Sequence, residues 1–331
     1  MPTFYDLITN KGNDVLTGLV EDVTTFAPEF GVIPVTTRPG TTYKINKRTA
    51  LPTAGFRDAN QGISPQKSAY KQEVKEMFFL DVPINVDEMI YKGDDRSTGD
   101  LLSHEMQGAL QSAFITVGSQ TYYGAVGDNS NGFVGLRSQL SGQVSVSGSL
   151  GSAPSNAATS STCYGLWLNE QGVGYDVGNQ GSIDLKTPIL QQIPDPNGAA
   201  GKNIFAWVTN LSFYVGLSVK SNYSVYAITG ISNHTITATN ALGRPQLIFD
   251  QGLTDFSATN LLIQVPLNRR VGFTWFTNRT GIGTLQSNRS AINFQAASAA
   301  SGTPAYSPPP LVMEGFPIVV TDSITNTENN S

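Results

Sequence analysis

A chain of 331 residues with a net charge of −5, 33 glycines, 16 Phe, 12 Tyr and 3 Trp is long enough for one large or two modest domains and has ample apolar surface to bury. A single cysteine, Cys163, excludes an intramolecular disulfide, and with only His104 and His234 beside it the usual nitrogen–sulfur zinc site is excluded as well. The acidic balance argues against gripping nucleic acid through its phosphates, and no apolar stretch approaches about 18 residues, so no membrane-spanning helix is expected.

Charge is concentrated early: 24 of the 45 charged residues lie in the first 96 positions, ahead of a Gly/Ser/Thr/Asn-rich body. Met1-Pro2-Thr3-Phe4-Tyr5-Asp6 has no basic segment leading into an apolar one, so no secretory signal is expected. From Asp6 to Phe30 the pattern predicts a weak helix followed by an arm, and Pro28, Pro34 and Pro39 favour extended backbone. Thr41 to Arg48 predicts a strand from its β-branched and aromatic content. Val74 to Val86 is its expected partner, because Val74, Phe78, Leu80, Val82, Ile84 and Val86 share a face at period two. Between them Ala50 to Lys67 forms a long polar loop, and loops beyond about 12–15 residues are usually functional or disordered. A two-stranded hairpin is marginal alone in water, so this one is expected to lie on another subunit.

The strongest helix signal runs from Ser97 to Tyr123. Ser97-Thr98-Gly99-Asp100 approximates a capping box, and Leu102, Met106, Ala109, Ala113 and Val117 recur at spacings of three and four before Gly124. Such a helix is about 40 Å long, and its interior Gly108 and Gly118 each cost helix stability. Beyond it, Ser141 to Ser161 reads as a surface loop. Strands are expected at Thr162–Leu168, Phe205–Val208, Phe213–Val219, Ser224–Ile231, Leu261–Val265 and Gly272–Phe276. Short helices are expected at Gln246–Phe256 and Thr280–Arg289, and β-structure returns at Ser290–Phe294 and Leu311–Asp322.

Residues that carry chemistry are sparse. Gly172-Val173-Gly174-Tyr175-Asp176-Val177-Gly178 misses both the dinucleotide pattern and the P-loop lysine, and reads as a turn. His104 lies one helical turn beyond Asp100 with no nucleophile nominated nearby, His234 sits in a turn, and Cys163 reads as a small buried hydrophobe. The pairs Asp87-Glu88 and Asp94-Asp95 have Lys92 and Arg96 beside them and read as solvated, self-neutralised turns. No catalytic, cofactor-binding or metal-binding residue is nominated, and a non-enzyme is expected.

The order of elements then matters more than any motif. Leu51-Pro52-Thr53-Ala54-Gly55-Phe56-Arg57-Asp58-Ala59-Asn60-Gln61-Gly62, then Ser64-Pro65-Gln66-Lys67-Ser68, resembles the hairpin tip of one group of tailed-bacteriophage major capsid proteins. Gln120-Thr121-Tyr122-Tyr123-Gly124 followed by Phe133-Val134-Gly135-Leu136 resembles the end of that family's spine helix, and Glu314 to Ile324 resembles its closing strand. The likeness is co-linear over nearly the whole chain.

The resemblance implies an α+β, Hong Kong 97-like capsid fold. In it residues 1–38 would be the N-arm, 39–84 the extended E-loop hairpin, 85–130 and 276–331 the P-domain with a spine helix at 97–123, and 131–275 the A-domain. It implies a structural coat protein, with no cofactor, that assembles with itself into the hexamers and pentamers of an icosahedral head enclosing double-stranded DNA. Scaffolding and portal proteins, and a decoration protein, are the further partners it implies, and the virion, assembled in the host cytoplasm, is the expected location. The arm begins at Met1, so scaffolding is expected from a separate protein unless the numbering is that of a processed chain. The inter-subunit contacts would come from the hairpin: Lys44, Lys47, Arg48, Arg57, Asp58, Lys67 and Lys71. An encapsulin-type protein nanocompartment shell and, from another class, a secreted β-rich adhesin or glycan-binding domain remain as alternatives.

Overall fold

One strand organises the molecule. In a computed structural model that describes residues 25–92, 100–124, 131–146, 160–178, 183–195, 201–232, 235–239, 245–249, 251–297 and 311–328, residues Asn203–Val219 run as a single 17-residue strand. The chain reaches it through a short helix α1 (Glu29–Val32), β1 (Val35–Thr37), β2 (Thr42–Ala50), β3 (Ala69–Glu76), β4 (Phe78–Asp87), α2 (Glu88–Lys92) and the long α3 (Asp100–Tyr123). There follow β5 (Gly142–Ser145), β6 (Ser161–Trp167), β7 (Val173–Val177), β8 (Asp184–Leu185), β9 (Ile189–Pro194) and β10, the long strand. After it come β11 (Val225–Ile231), β12 (Thr235–Thr239), β13 (Pro245–Phe249), α4 (Asp255–Gln264), β14 (Phe273–Thr277), α5 (Arg279–Ala297), β15 (Val312–Met313) and β16 (Phe316–Val320).

Two six-stranded sheets result. The first has the order β1-β7-β10-β4, with β8 and β9 also bonded to β10, and the second the order β15-β16-β14-β6-β11-β5. Strand β4 lies at the edge of its sheet, in antiparallel register with β10 from Ala206↔Asp87 to Val215↔Phe78. An edge strand has backbone donors to spare, which is why it tolerates Pro83. Helix α3 buries Ala113, Val117, Tyr122 and Tyr123 in a core shared with Leu211, Phe213 and Val215 of the first sheet and Tyr164 and Leu166 of the second. A second core lies between the second sheet and helices α4 and α5, around Trp275, Phe273, Ile228 and Leu261. Phe30 fastens the N-terminal segment to the first core, stacked on Tyr175 with ring centroids 4.7 Å apart.

Several expectations are corrected. The strand at Thr41–Arg48 pairs with Ala69–Glu76 only; the chain then turns at buried Met77, whose N–H donates to the Thr41 carbonyl at 2.8 Å, and Phe78–Asp87 joins the first sheet instead. Val74 is therefore exposed on the hairpin, although it shares its period with the buried Ile84 and Val86. Phe205–Val208 and Phe213–Val219 are one strand, because the polar Asn210 and Ser212 between them lie on the opposite face from Leu211 and Phe213, with Asn210 donating to Asp81 at 3.1 Å. Gly172–Gly178 is no turn: Val173–Val177 is a fully buried strand bonded on both edges, by β1 and β10.

Leu261–Gln264 is the last turn of helix α4 and Val265 its C-cap; the helix starts with a capping box in which Ser257 takes the usual place of Glu: its N–H donates to Thr254 Oγ1 at 3.1 Å and its hydroxyl accepts from the Thr254 N–H at 3.2 Å. The helix expected at Gln246–Phe256 is strand β13 and the start of α4, and Ser290–Phe294 continues helix α5. Within Ser141–Ser161, Gly142–Ser145 is a parallel strand on β11. Of the weak helix and arm expected from Asp6 to Phe30, residues 6–24 lie outside the described residues, as do the capping residues 97–99 and the turn at His234.

Candidate subunit interface: the hairpin and its base

Strands β2 and β3 pair from Thr42↔Glu76 to Arg48↔Tyr70, with an irregularity before Ala50↔Ala69. Strand periodicity sends Tyr43, Ile45 and Lys47 to one face, where they and the facing Glu73 and Lys75 are half-buried; the residues between them are exposed. From Arg48 to Lys67 every residue is exposed. The base of the hairpin therefore touches the body while the distal half leaves it.

The structure separates the seven contact residues drawn from the sequence. Lys47 and Lys71 converge on Glu73, at 2.7 and 3.5 Å, and Lys47 also donates to Asn222 Oδ1 at 3.3 Å. The Lys47 hydrogen bond, aided by the charges of Lys47, Lys75 and Lys71, holds the Glu73 carboxyl below the usual range. Arg48 stacks over the Tyr70 ring at 5.6 Å. Arg57 turns back within the tip to donate to the Gln61 carbonyl at 2.9 Å, and the Gln61 N–H donates to the Asp58 carbonyl at 3.2 Å. Lys44 and Lys67 stand apart from this set and are exposed. The Lys71 and Arg48 contacts, being exposed, are worth about 0–1 kcal/mol each, whereas the Lys47–Glu73 pair is half-buried.

Sequence reasoning, which read the tip as polar, missed its apolar side chains. Phe56 is 109% exposed, Leu51 71% and Ile63 49%. The signal was present as three large apolar residues inside a loop with no core to bury them. Also missed were the groups that fix the base: Asp176 on β7, 1% exposed, accepts from the Tyr43 hydroxyl and from Arg38 Nε at 3.3 Å, and Lys220 Nζ lies 4.0 Å away. Burial pushes the Tyr43 hydroxyl up, with the Asp176 hydrogen bond adding to it, and pushes the Lys220 and Lys75 ammonium groups down.

The other candidate side chains lie elsewhere. His104 is half-buried on α3, and Cys163 is fully buried, with its thiol pushed up by desolvation. Among the described residues no group of three His, Cys, Asp or Glu side chains could hold a metal ion.

A family model described as major capsid protein GP7 matches residues 33–331. No curated protein matches the chain. Among solved structures, that of bacteriophage Epsilon15 is similar over 99% of this chain and 97% of its own, at 16% identity and a TM-score of 0.67. The capsid of the Myoviridae phage XM1 aligns with 66% of this chain and 97% of its own, at 11% identity and a TM-score of 0.47. The SrpI encapsulin complex of Synechococcus elongatus aligns with 69% of this chain and 95% of its own, at 11% identity and a TM-score of 0.42.

Proposed function

Because the chain belongs to the major capsid protein GP7 family, as a tailed-phage coat protein with the Hong Kong 97-like fold, we propose that it assembles as hexamers and pentamers of an icosahedral head around double-stranded DNA. Its role is structural. In this reading residues 1–38 form the N-arm, 39–84 the E-loop, 85–130 with 276–331 the P-domain, and 131–275 the A-domain. Scaffolding, portal and decoration proteins are its further partners, and assembly takes place in the host cytoplasm before the coat becomes part of the virion. A net charge of −5 suits a shell that must enclose DNA without gripping it.

The observation that carries the reading is the distal half of the hairpin, exposed from Arg48 to Lys67 with Phe56 at its tip. Ordering each residue costs about 1–2 kcal/mol, and contacts on a neighbouring subunit offset that cost. Replacing Gly55 to Lys67 with a short Gly/Ser turn should leave circular dichroism and melting of the subunit unchanged while particle yield in a sucrose gradient collapses. Shells of normal yield and salt resistance would overturn the reading. Particles that enclose protein and no DNA would favour the nanocompartment alternative.

A further inference from the structure

We propose that Asp176 is a positioning residue: its buried carboxylate sets the angle at which the hairpin leaves the body. The inference deepens the reading of the hairpin as the inter-subunit element and rests on it.

Three separate parts of the chain meet at this one carboxylate. Tyr43 reaches it from the hairpin's first strand, Arg38 from the segment leading into the hairpin, and Lys220 from the end of β10. Arg38 also lies over the Tyr43 ring, 4.8 Å from its centroid, so guanidinium, phenol and carboxylate hold one another. Lys75, across the ladder from Tyr43, feels the same negative charge. Arg38 and Lys220 thus share one buried anion, while Lys75 has its ion pair with Glu73 on the hairpin at 3.8 Å.

The backbone around the carboxylate leaves no slack. Asp176 is in register with Gly216 of β10, and a Cβ on Gly216 would lie 2.7 Å from the Glu76 carbonyl oxygen and 3.3 Å from the Met77 Cα. The returning strand of the hairpin therefore rests directly on β10 at the level of Asp176. The junction fixes where the hairpin starts, and the Tyr43–Asp176 bond fixes its tilt about that point. Among the described residues, Lys47, which reaches Asn222, makes the most distal hydrogen bond from hairpin to body. Removing the charge leaves Arg38 and Lys220 without their shared buried anion beside a half-buried phenol, which favours opening of the hairpin away from the body.

Electron–electron double resonance distances on the full-length chain test this. Spin labels go on Gly62→Cys at the tip and Thr187→Cys on the body, both open positions, with labelled chain diluted into unlabelled chain; Cys163 is buried and takes no label. The expected result is a narrow tip-to-body distance in the parent chain, a broadened and shifted one in Asp176→Asn and Tyr43→Phe, and no change in Lys92→Ala, whose ion pair with Glu88 lies on helix α2. If Asp176→Asn does not fold, Tyr43→Phe and Arg38→Gln carry the same test. An unchanged distribution in all folded variants, or a parent distribution as broad as theirs, overturns the proposal even if particles are lost. Normal shells from the tip-shortened chain would instead overturn the hairpin's role while a broadened distance still upholds the clamp.

Discussion

Two buried glutamates are held by hydroxyl donors. Glu328 is 2% exposed and accepts from the hydroxyls of Tyr123 and Thr162; Glu29 is 1% exposed and accepts from that of Thr321. Desolvation raises both above the usual carboxylate range; the hydrogen bonds to each, and for Glu328 the charge of Arg137, offset only part of it. An acid whose folded pKa lies above its unfolded value binds more protons when folded, so stability falls as pH rises from the unfolded value near 4.5 through the raised one. These two groups therefore add stability on mild acidification from neutral pH, opposite in sign to the Lys47–Glu73 pair, whose stability is present above the unfolded carboxylate pKa and lost below it. Melting of Glu29→Gln and Glu328→Gln between pH 5 and pH 7 should show a weaker gain on acidification than the parent. An identical profile in both variants would mean that the carboxylates titrate normally. None of this was legible in the sequence, where Glu29 is one of many early charges and Glu328 sits in a polar tail; what buries them is the meeting of residues some 300 and 200 positions apart.

Among elements, helix α3 was read correctly over Asp100–Tyr123, because the buried Leu102, Ala109, Ala113 and Val117 keep their helical spacing through many turns. Its two interior glycines looked equivalent in the sequence, and the structure divides them. A Cβ at Gly108 meets nothing within 4 Å, so only the helix-propensity cost of glycine remains there. At Gly118 it would fall 2.3 Å from Ser323 Oγ and 3.1 Å from Ala27 Cβ, where the N-terminal and C-terminal segments cross the helix. Gly108→Ala is expected to raise stability by about 0.5–1 kcal/mol, and Gly118→Ala to lower it, through overpacking of typically about 1–3 kcal/mol. Denaturant midpoints decide, and equal shifts of one sign would contradict the crossing. The short elements were read less well for a physical reason. The apolar run Leu261–Val265 fits a strand or a buried helix equally, and a Thr254–Ser257 cap, rather than periodicity, decides for the helix. The glycines of Gly172–Gly178 suggested a turn, yet two neighbouring strands supply the hydrogen bonds that make Val173–Val177 a strand.

For the whole molecule, what was legible was the succession of hairpin, long helix and β-rich body, and with it the family. The chemistry of the hairpin contact was not. The seven charged residues drawn from the sequence divide into groups satisfied within their own subunit, Lys47 by both Glu73 and the body's Asn222, and side chains left in solvent, and neither class has much binding energy to offer a neighbour. Phe56, Leu51 and Ile63 find no partner among the described residues that keeps them from water. In an assembled interface a few buried aromatic and aliphatic anchors carry most of the energy, each costing about 2 kcal/mol or more on truncation. In the isolated chain the same truncation touches nothing and should stay within about 0.5 kcal/mol. Phe56→Ser is therefore expected to melt like the parent while the subunit concentration needed for half-maximal particle formation, read by light scattering, rises at least about tenfold. Lys44→Ala and Lys67→Ala should alter the salt dependence of assembly but move that concentration by less than about fivefold. If the two lysine variants fail to assemble while Phe56→Ser forms shells at the parent's concentration, the contact is ionic and the apolar tip is incidental.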